Sequence, residues 1–266
     1  MDFTEHIAPN GVLYLTAPTI ACRHAFTTRV GGVSTGDQAG LNLSVSRDPD
    51  FSHVAENFRR LGVGVGIDTG RMAFTKQVHG NVVRTVTGAD VHVLGTPVPY
   101  EADGLVTNEP GLALICFTAD CVPVLLHDAA HGVIAAVHCG WRSSVADILA
   151  RALDAMCALG ASPGSVSAAI GPAISRCCFE VGGEVIEAVD RYLGGDCAGL
   201  WSAAEGREGK FFLDLKGANA HRLRQLGVPE EAIAVSDDCT YCLPAKYWSH
   251  RYTKGKRGNQ GALIVL

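Results

Sequence analysis

The sequence predicts an α+β fold, a single domain of mixed, partly antiparallel β-sheets flanked by helices, and three observations predict it. Short apolar or β-branched segments outnumber helical stretches by more than two to one. Several of them follow one another through tight turns, at residues 79–80 and 128–132, which favours antiparallel pairing. No repeat, low-complexity segment or Pro- and Ser-rich linker divides the 266 residues.

Strands are predicted over 12–15, 23–28, 71–78, 82–86, 112–117, 122–127, 133–138, 166–170, 232–236 and 262–266. Residues 143–160 predict a helix, because Val145, Ile148, Leu149, Ala152, Leu153, Met156 and Leu159 form one 3.6-residue stripe that ends at Gly160. Shorter stripes predict helices over 183–193 and 215–226, the latter opened by Asp214 as cap and closed by Gly227, and a fourth over 50–61. Gly-rich stretches at 30–40, 62–70 and 193–200 separate periodic segments and read as loops.

Composition bounds the function. Hydrophobic residues are 47% and charged residues 18%, too apolar for a disordered tail. Lys and Arg number 22 against 27 Asp and Glu, a net charge of −5 with no long run of either sign, which argues against nucleic acid as a partner. The N-terminus lacks the basic start and apolar stretch of a targeting signal, and the apolar region 112–126 is interrupted by Thr118, Asp120 and Pro123, so no membrane partner and a cytoplasmic location are expected. The 10 cysteines are about 4% of the chain, below the roughly 8–10% of a disulfide scaffold, so reduced thiols are expected.

Chemistry concentrates between Ala102 and Trp141. Asp120 and Cys121 precede one apolar strand, and His138 and Cys139 end the next. A thiol and an imidazole on strand ends are rigidly aimed, which suits a metal or a nucleophile with its base. His79, in Lys76-Gln77-Val78-His79-Gly80, also sits where a strand meets a turn. One Cys and two His make a three-ligand zinc shell with a position left open; three unrelated strand-end residues are the alternative. An ion in that shell would activate water for attack on an electrophilic carbon, with Asp120 or Glu180 as candidate proton shuttles. Arg29, beside Gly31 and Gly32, with Lys76 and Arg251, could build an anion pocket, and Asn42 could hydrogen-bond a base or ribose; the alternatives are surface cations and a turn asparagine.

The strings KQVHG, ADGLVTN, ADCVPVLL, HCGWR, IGPAISRCCFEVGGEV and DLKGANAHRL resemble the bacterial laccase-domain family, also called the multicopper polyphenol oxidase or peptidoglycan editing factor family. The likeness runs from TTRVGGVS near position 27 to YWSHRYTKG near position 247. It implies a single α+β domain, zinc on His79, Cys121 and His138, and purine nucleoside phosphorylase activity on nucleoside and phosphate, accompanied by adenosine deamination and extending to methylthioadenosine. Two departures stand out. Cys139 replaces the family's usual small residue, placing an extra thiol beside the site, and Ser249-His250-Arg251-Tyr252 lacks the second arginine of the family's ending.

Other signals are set aside. His127 and His131 share helical zinc spacing but lie between two strands, so a hairpin turn is expected. Gly62, Gly64 and Gly66 follow a helix rather than a strand, which rejects a nucleotide loop. Cys177, Cys178, Cys239 and Cys242 read as buried free thiols, because a structural zinc would need the two pairs brought together. Trp141 and Trp248 read as core packing rather than a stacking pocket. Two further functions stay open: an amidase with Cys121 as nucleophile and His138 as base, editing peptidoglycan precursors, and a silent interaction protein whose zinc is closed by a fourth ligand, Cys139 the nearest. Polyphenol oxidation is not expected, since none of the 10 histidines forms the His-x-His pairs of multinuclear copper sites; a single adventitious copper at the triple would give only weak oxidase activity.

Overall fold

The computed structural model describes residues 2–98 and 100–266. Two six-stranded sheets face each other. The first has the order β1 (Thr4–Ile7), β2 (Leu13–Thr16), β3 (Arg23–Thr27), β15 (Gln260–Val265), β7 (Ala113–Thr118), β4 (Met72–Ala73). The second runs β14 (Ile233–Val235), β10 (Val166–Ile170), β8 (Val122–Asp128), β9 (Val133–Cys139), β6 (Gly104–Thr107), β5 (Val83–Thr85). A small third sheet orders β11 (Glu180–Gly182), β13 (Lys210–Leu213) and β12 (Trp201–Ala203). The helices are α1 (Phe51–Val65), α2 (Trp141–Val145), α3 (Ile148–Ala158), α4 (Gly183–Tyr192), α5 (Leu215–Gln225) and α6 (His250–Thr253).

Period-two alternation explains the layering. In β8, Leu125 joins Phe26, Leu114 and Ile264 between the two large sheets, while its neighbours Val124 and Leu126 pack with Leu149, Met156, Val189 and Leu223 of α3, α4 and α5. Both faces are covered, which is why β8 and β9 are buried at every position and read as continuous apolar runs. On the outer face of the first sheet, α1 lays down Val54, Phe58, Leu61 and Val65, a stripe at helical spacing. Asp50 caps this helix by accepting the Ser52 N–H at 2.9 Å. The β8–β9 pair is the antiparallel hairpin expected around His127 and His131.

Four sequence expectations need correction. The helix over 143–160 is broken into α2 and α3 at Asp147, whose φ of 62° leaves the helical region; Arg222 of α5 donates to both its carboxylate oxygens, at 2.6 and 3.0 Å. The loop at 62–70 begins later than predicted, because α1 continues to Val65. Gly62 and Gly64 lie inside it, where a Cβ would come within 2.8 Å of the Ile67 carbonyl and 3.2 Å of Ala8. The strand over 71–78 shortens to β4, since the chain then leaves the sheet, and the Gln77 side-chain amide takes over the missing ladder, accepting from the Phe117 N–H at 2.7 Å and donating to its carbonyl at 2.8 Å. Finally, β1, β6, β11, β12 and β13 carry too little apolar periodicity to be read from sequence. Among the described residues no helix is long and apolar enough to cross a membrane.

Candidate metal centre and cavity

The site lies where the two large sheets meet at one end. Alternation in β9 points His138 between the sheets and Cys139 the opposite way, into the helix-side core. Cys121 precedes β8, across the hairpin, and His79 comes from the turn after β4. The ligand-competent atoms of His79, Cys121 and His138 all lie within 4.8 Å of one another. The Cys121 Sγ is 3.7 Å from His79 Nε2, and the two imidazoles meet edge to face with centroids 4.8 Å apart.

Asp103, in the segment entering β6, organises this arrangement. Its Oδ1 is 2.8 Å from His138 Nδ1 and accepts the His79 N–H at 2.9 Å; its Oδ2 accepts the N–H groups of Val78 at 3.1 Å and Gly80 at 2.7 Å. These bonds hold His79 at a φ of 61° and leave His138 Nε2 to face the sulfur. Burial opposes charge on both groups, but His138 and His79 favour the Cys121 thiolate and lower that thiol, while the Cys121 sulfur and Asp103 favour the His138 imidazolium and raise that imidazole from its ordinary value. Gly140 completes the cradle: a Cβ there would stand 2.9 Å from His79 Cδ2 and 3.4 Å from the Cys121 sulfur. A soft sulfur, two nitrogens, a carboxylate behind one imidazole and a glycine keeping the space clear fit a tetrahedral ion with one open position.

That opening faces a cavity of about 720 Å³, within the range of small-molecule sites. Phe58, Phe74, Phe117 and His92 supply aromatic walls, and Lys76 and Arg257 supply positive charge. Burial and the neighbouring Arg47 lower the Arg257 guanidinium to about 10, which leaves it cationic at neutral pH.

The other sequence-predicted residues do not reach the cavity, although Lys76 does, with its ammonium 2.7 Å from Glu101. Arg29 donates to the carbonyls of Pro244 and Ala39 and lies over the buried Trp248 ring. Asn42 accepts from the N–H groups of Ser44 and Asn259 and organises its own loop. Arg251 donates to the Glu180 carbonyl at 3.1 Å, and the Glu180 carboxylate is taken by Arg207. Asp120, at a φ of 89°, turns its carboxylate to the Thr240 hydroxyl at 2.6 Å and the Arg251 N–H at 2.7 Å. Cys139 is fully buried, and burial pushes its thiol well up, so it is neither an accessible thiol nor the fourth ligand of a closed shell. Sequence reasoning missed Asp103, Gly140 and Arg257. An aspartate leading into a strand beside candidate ligands is the one signal for Asp103; Arg257, in the turn KGKRGN, offers none.

The fold and site define a single α+β domain of mixed sheets in which a His–Cys–His cluster able to hold a metal ion opens on a ligand-sized cavity. Residues 23–266 match the model of the family described as multi-copper polyphenol oxidoreductase laccase, and the chain belongs to that family. It is 41% identical over 258 residues to a purine nucleoside phosphorylase of Deinococcus radiodurans, covering 96% of this chain and 94% of the relative. It is 34% identical over 260 residues to the purine nucleoside phosphorylase YlmD of Geobacillus stearothermophilus, with the same coverage. The crystal structure of that YlmD superposes with a TM-score of 0.88 over 95% of both chains, and that of the Bacillus licheniformis hypothetical protein YfiH with 0.89 over 98% of both, at 33% and 29% identity.

Proposed function

We propose that this chain is a zinc-dependent purine nucleoside phosphorylase that also deaminates adenosine and accepts methylthioadenosine. The observation that carries the reading is the convergence of His79, Cys121 and His138 on a cavity with both aromatic walls and a half-buried cation, in a chain that aligns almost end to end with relatives named purine nucleoside phosphorylase. His79, Cys121 and His138 would hold the ion, which when bound supplies a Lewis acid against the substrate.

The chain's own residues do the rest. The aromatic walls give a purine ring flat apolar surfaces and keep water from the glycosidic carbon. Arg257 and Lys76, which line the cavity, offer donors to phosphate in place of Arg29 and Arg251, which lie outside it. In phosphorolysis a phosphate oxygen bonds to C1′ as the bond from C1′ to the base nitrogen breaks, with its electron pair leaving on the base. Asp103 holds His138 in one orientation while this happens.

The test is to purify the protein without added metal, measure bound zinc and copper, and follow adenosine by chromatography with and without phosphate. Free adenine appearing only with phosphate supports phosphorolysis, and inosine without phosphate supports deamination. A zinc-loaded sample that gives neither refutes the reading. One observation favours a second reading, the amidase acting on peptidoglycan precursors: Cys121, His138 and Asp103 also stand in nucleophile–base–orienter order. A zinc-bound thiolate is occupied, so hydrolysis of a peptidoglycan amide that survives complete zinc removal and disappears in Cys121→Ala would select it.

A further inference from the structure

A second sulfur-rich cluster lies outside the cavity. Cys177 and Cys178 follow β10, and Cys239 and Cys242 follow β14, its parallel neighbour. The two segments continue side by side past the sheet, where Ala173 pairs with Cys239 and the Thr240 N–H donates to the Ala173 carbonyl at 3.1 Å. This parallel exit brings together the two pairs that spacing in the sequence leaves apart, and it corrects the expectation of buried free thiols, since of the four only Cys239 is buried. The four sulfurs lie within 4.8 Å of one another, with Cys242 Sγ 3.3 Å from Cys178 Sγ and 3.6 Å from Cys177 Sγ.

Four thiolates around one zinc at about 2.3 Å sit about 3.8 Å apart, so the spacing needs only small side-chain adjustments. Adjacent cysteines in an extended chain point apart, but residues 175–178 form a turn, in which the Ser175 carbonyl accepts the N–H groups of Cys178 at 2.9 Å and Phe179 at 3.0 Å, and both sulfurs reach Cys242. The Ser175 N–H donates to the Cys239 sulfur at 3.3 Å, a bond that favours thiolate over thiol. Cys177 and Cys242 are exposed, which gives an ion a path in from solvent, while Cys239 is buried.

We propose that Cys177, Cys178, Cys239 and Cys242 bind a structural zinc ion as a tetrathiolate. Binding displaces the thiol protons to solvent and oxidises nothing. The ion ties the segment after β10 to the segment after β14, and both grip Asp120: the Ile174 N–H donates to its carbonyl at 3.0 Å and the Thr240 hydroxyl to its carboxylate at 2.6 Å. Asp120 adjoins Cys121, so this zinc stiffens the support of the cavity ligand without touching the cavity.

The test separates the two centres. The triple variant His79→Ala/Cys121→Ser/His138→Ala, purified under reductant with zinc supplied, is expected to retain about one equivalent of zinc per chain. Adding Cys177→Ser/Cys242→Ser to it removes that zinc. Cobalt(II) loading of the wild-type chain gives a readout independent of the triple variant's folding: tetrathiolate cobalt shows intense sulfur-to-metal charge transfer, most of which disappears in Cys177→Ser/Cys242→Ser and remains in Cys121→Ser. A triple variant with native circular dichroism, no disulfide in the cluster and no zinc overturns the proposal. So does a disulfide within the cluster of the reduced protein, seen by intact mass.

Discussion

Replacing Asp103 by Asn tests whether this carboxylate, more than the ligands' positions along the chain, builds the centre. Asp103 receives four hydrogen bonds, two on each oxygen, from His138 Nδ1 and the N–H groups of Val78, His79 and Gly80. Asn keeps one accepting oxygen. With that oxygen toward His138 and His79, the amide NH₂ faces the Val78 and Gly80 N–H groups; two part-buried donors lose their acceptor, at about 1–2 kcal/mol each. With the amide reversed, its NH₂ faces His138 Nδ1 and favours the tautomer whose Nε2 carries the proton and cannot ligate. Zinc affinity is therefore expected to fall about 10–100-fold, or about 1.4–2.8 kcal/mol, and the metal-free protein to lose about 2–4 kcal/mol of stability. Competition against a chromophoric chelator reads the first quantity and urea unfolding in a chelating buffer the second. An Asp103→Asn variant that holds zinc within about twofold of wild type and unfolds at the same urea concentration would refute the reasoning.

Three further predictions test other parts of the site and its scaffold. Gly140→Ala should lower adenosine turnover at least about tenfold with little change in Tm, because its backbone at φ −66°, ψ 161° accepts Ala while the new Cβ displaces His79; steady-state kinetics and a thermal melt check both halves. Arg257→Met should raise KM for phosphate by about tenfold or more with a smaller effect on kcat, measured by varying phosphate at fixed nucleoside. Asp128→Ala should cost about 3 kcal/mol in urea unfolding at neutral pH, since its buried carboxylate accepts from the N–H groups of Ala130, His131 and Ser162 and from the Ser165 hydroxyl. Burial opposes ionisation of Asp128, but those bonds and His131 prevail and lower it to about 2. Its unfolded value is about 3.9, so the stabilisation is complete above that pH and fades as pH falls toward about 2; the difference between wild type and variant should shrink across that window.

The elements legible in the sequence were those whose environment is uniform along the chain. α1 and α4 present one apolar stripe each, α5 is marked by its Asp214 cap and by Gly227 after its end, and β7 to β10 are apolar because both their faces are covered. β6 and the small third sheet were not legible, because short strands of mixed composition take their shape from partners distant in sequence. The break at Asp147 was hidden for the same reason: the apolar stripe runs through it, and what favours the bend is Arg222, 75 residues further on.

Residue chemistry made His79, Cys121 and His138 one candidate among the many triples that 10 cysteines and 10 histidines allow, and the family likeness, written in contiguous strings, singled them out. Their convergence was a matter of tertiary structure, as were the roles left to the polar residues around them. Arg29, Asn42, Asp120 and Glu180 have the right functional groups, yet each is committed to a carbonyl, an amide, a hydroxyl or an ion pair brought to it by the fold. Arg257 and Asp103 became site residues only because the folded chain lays them against the cavity and the histidines. A side chain's chemistry is local and travels with its letter; its partners, and the water it keeps or loses, depend on which distant segments pack around it.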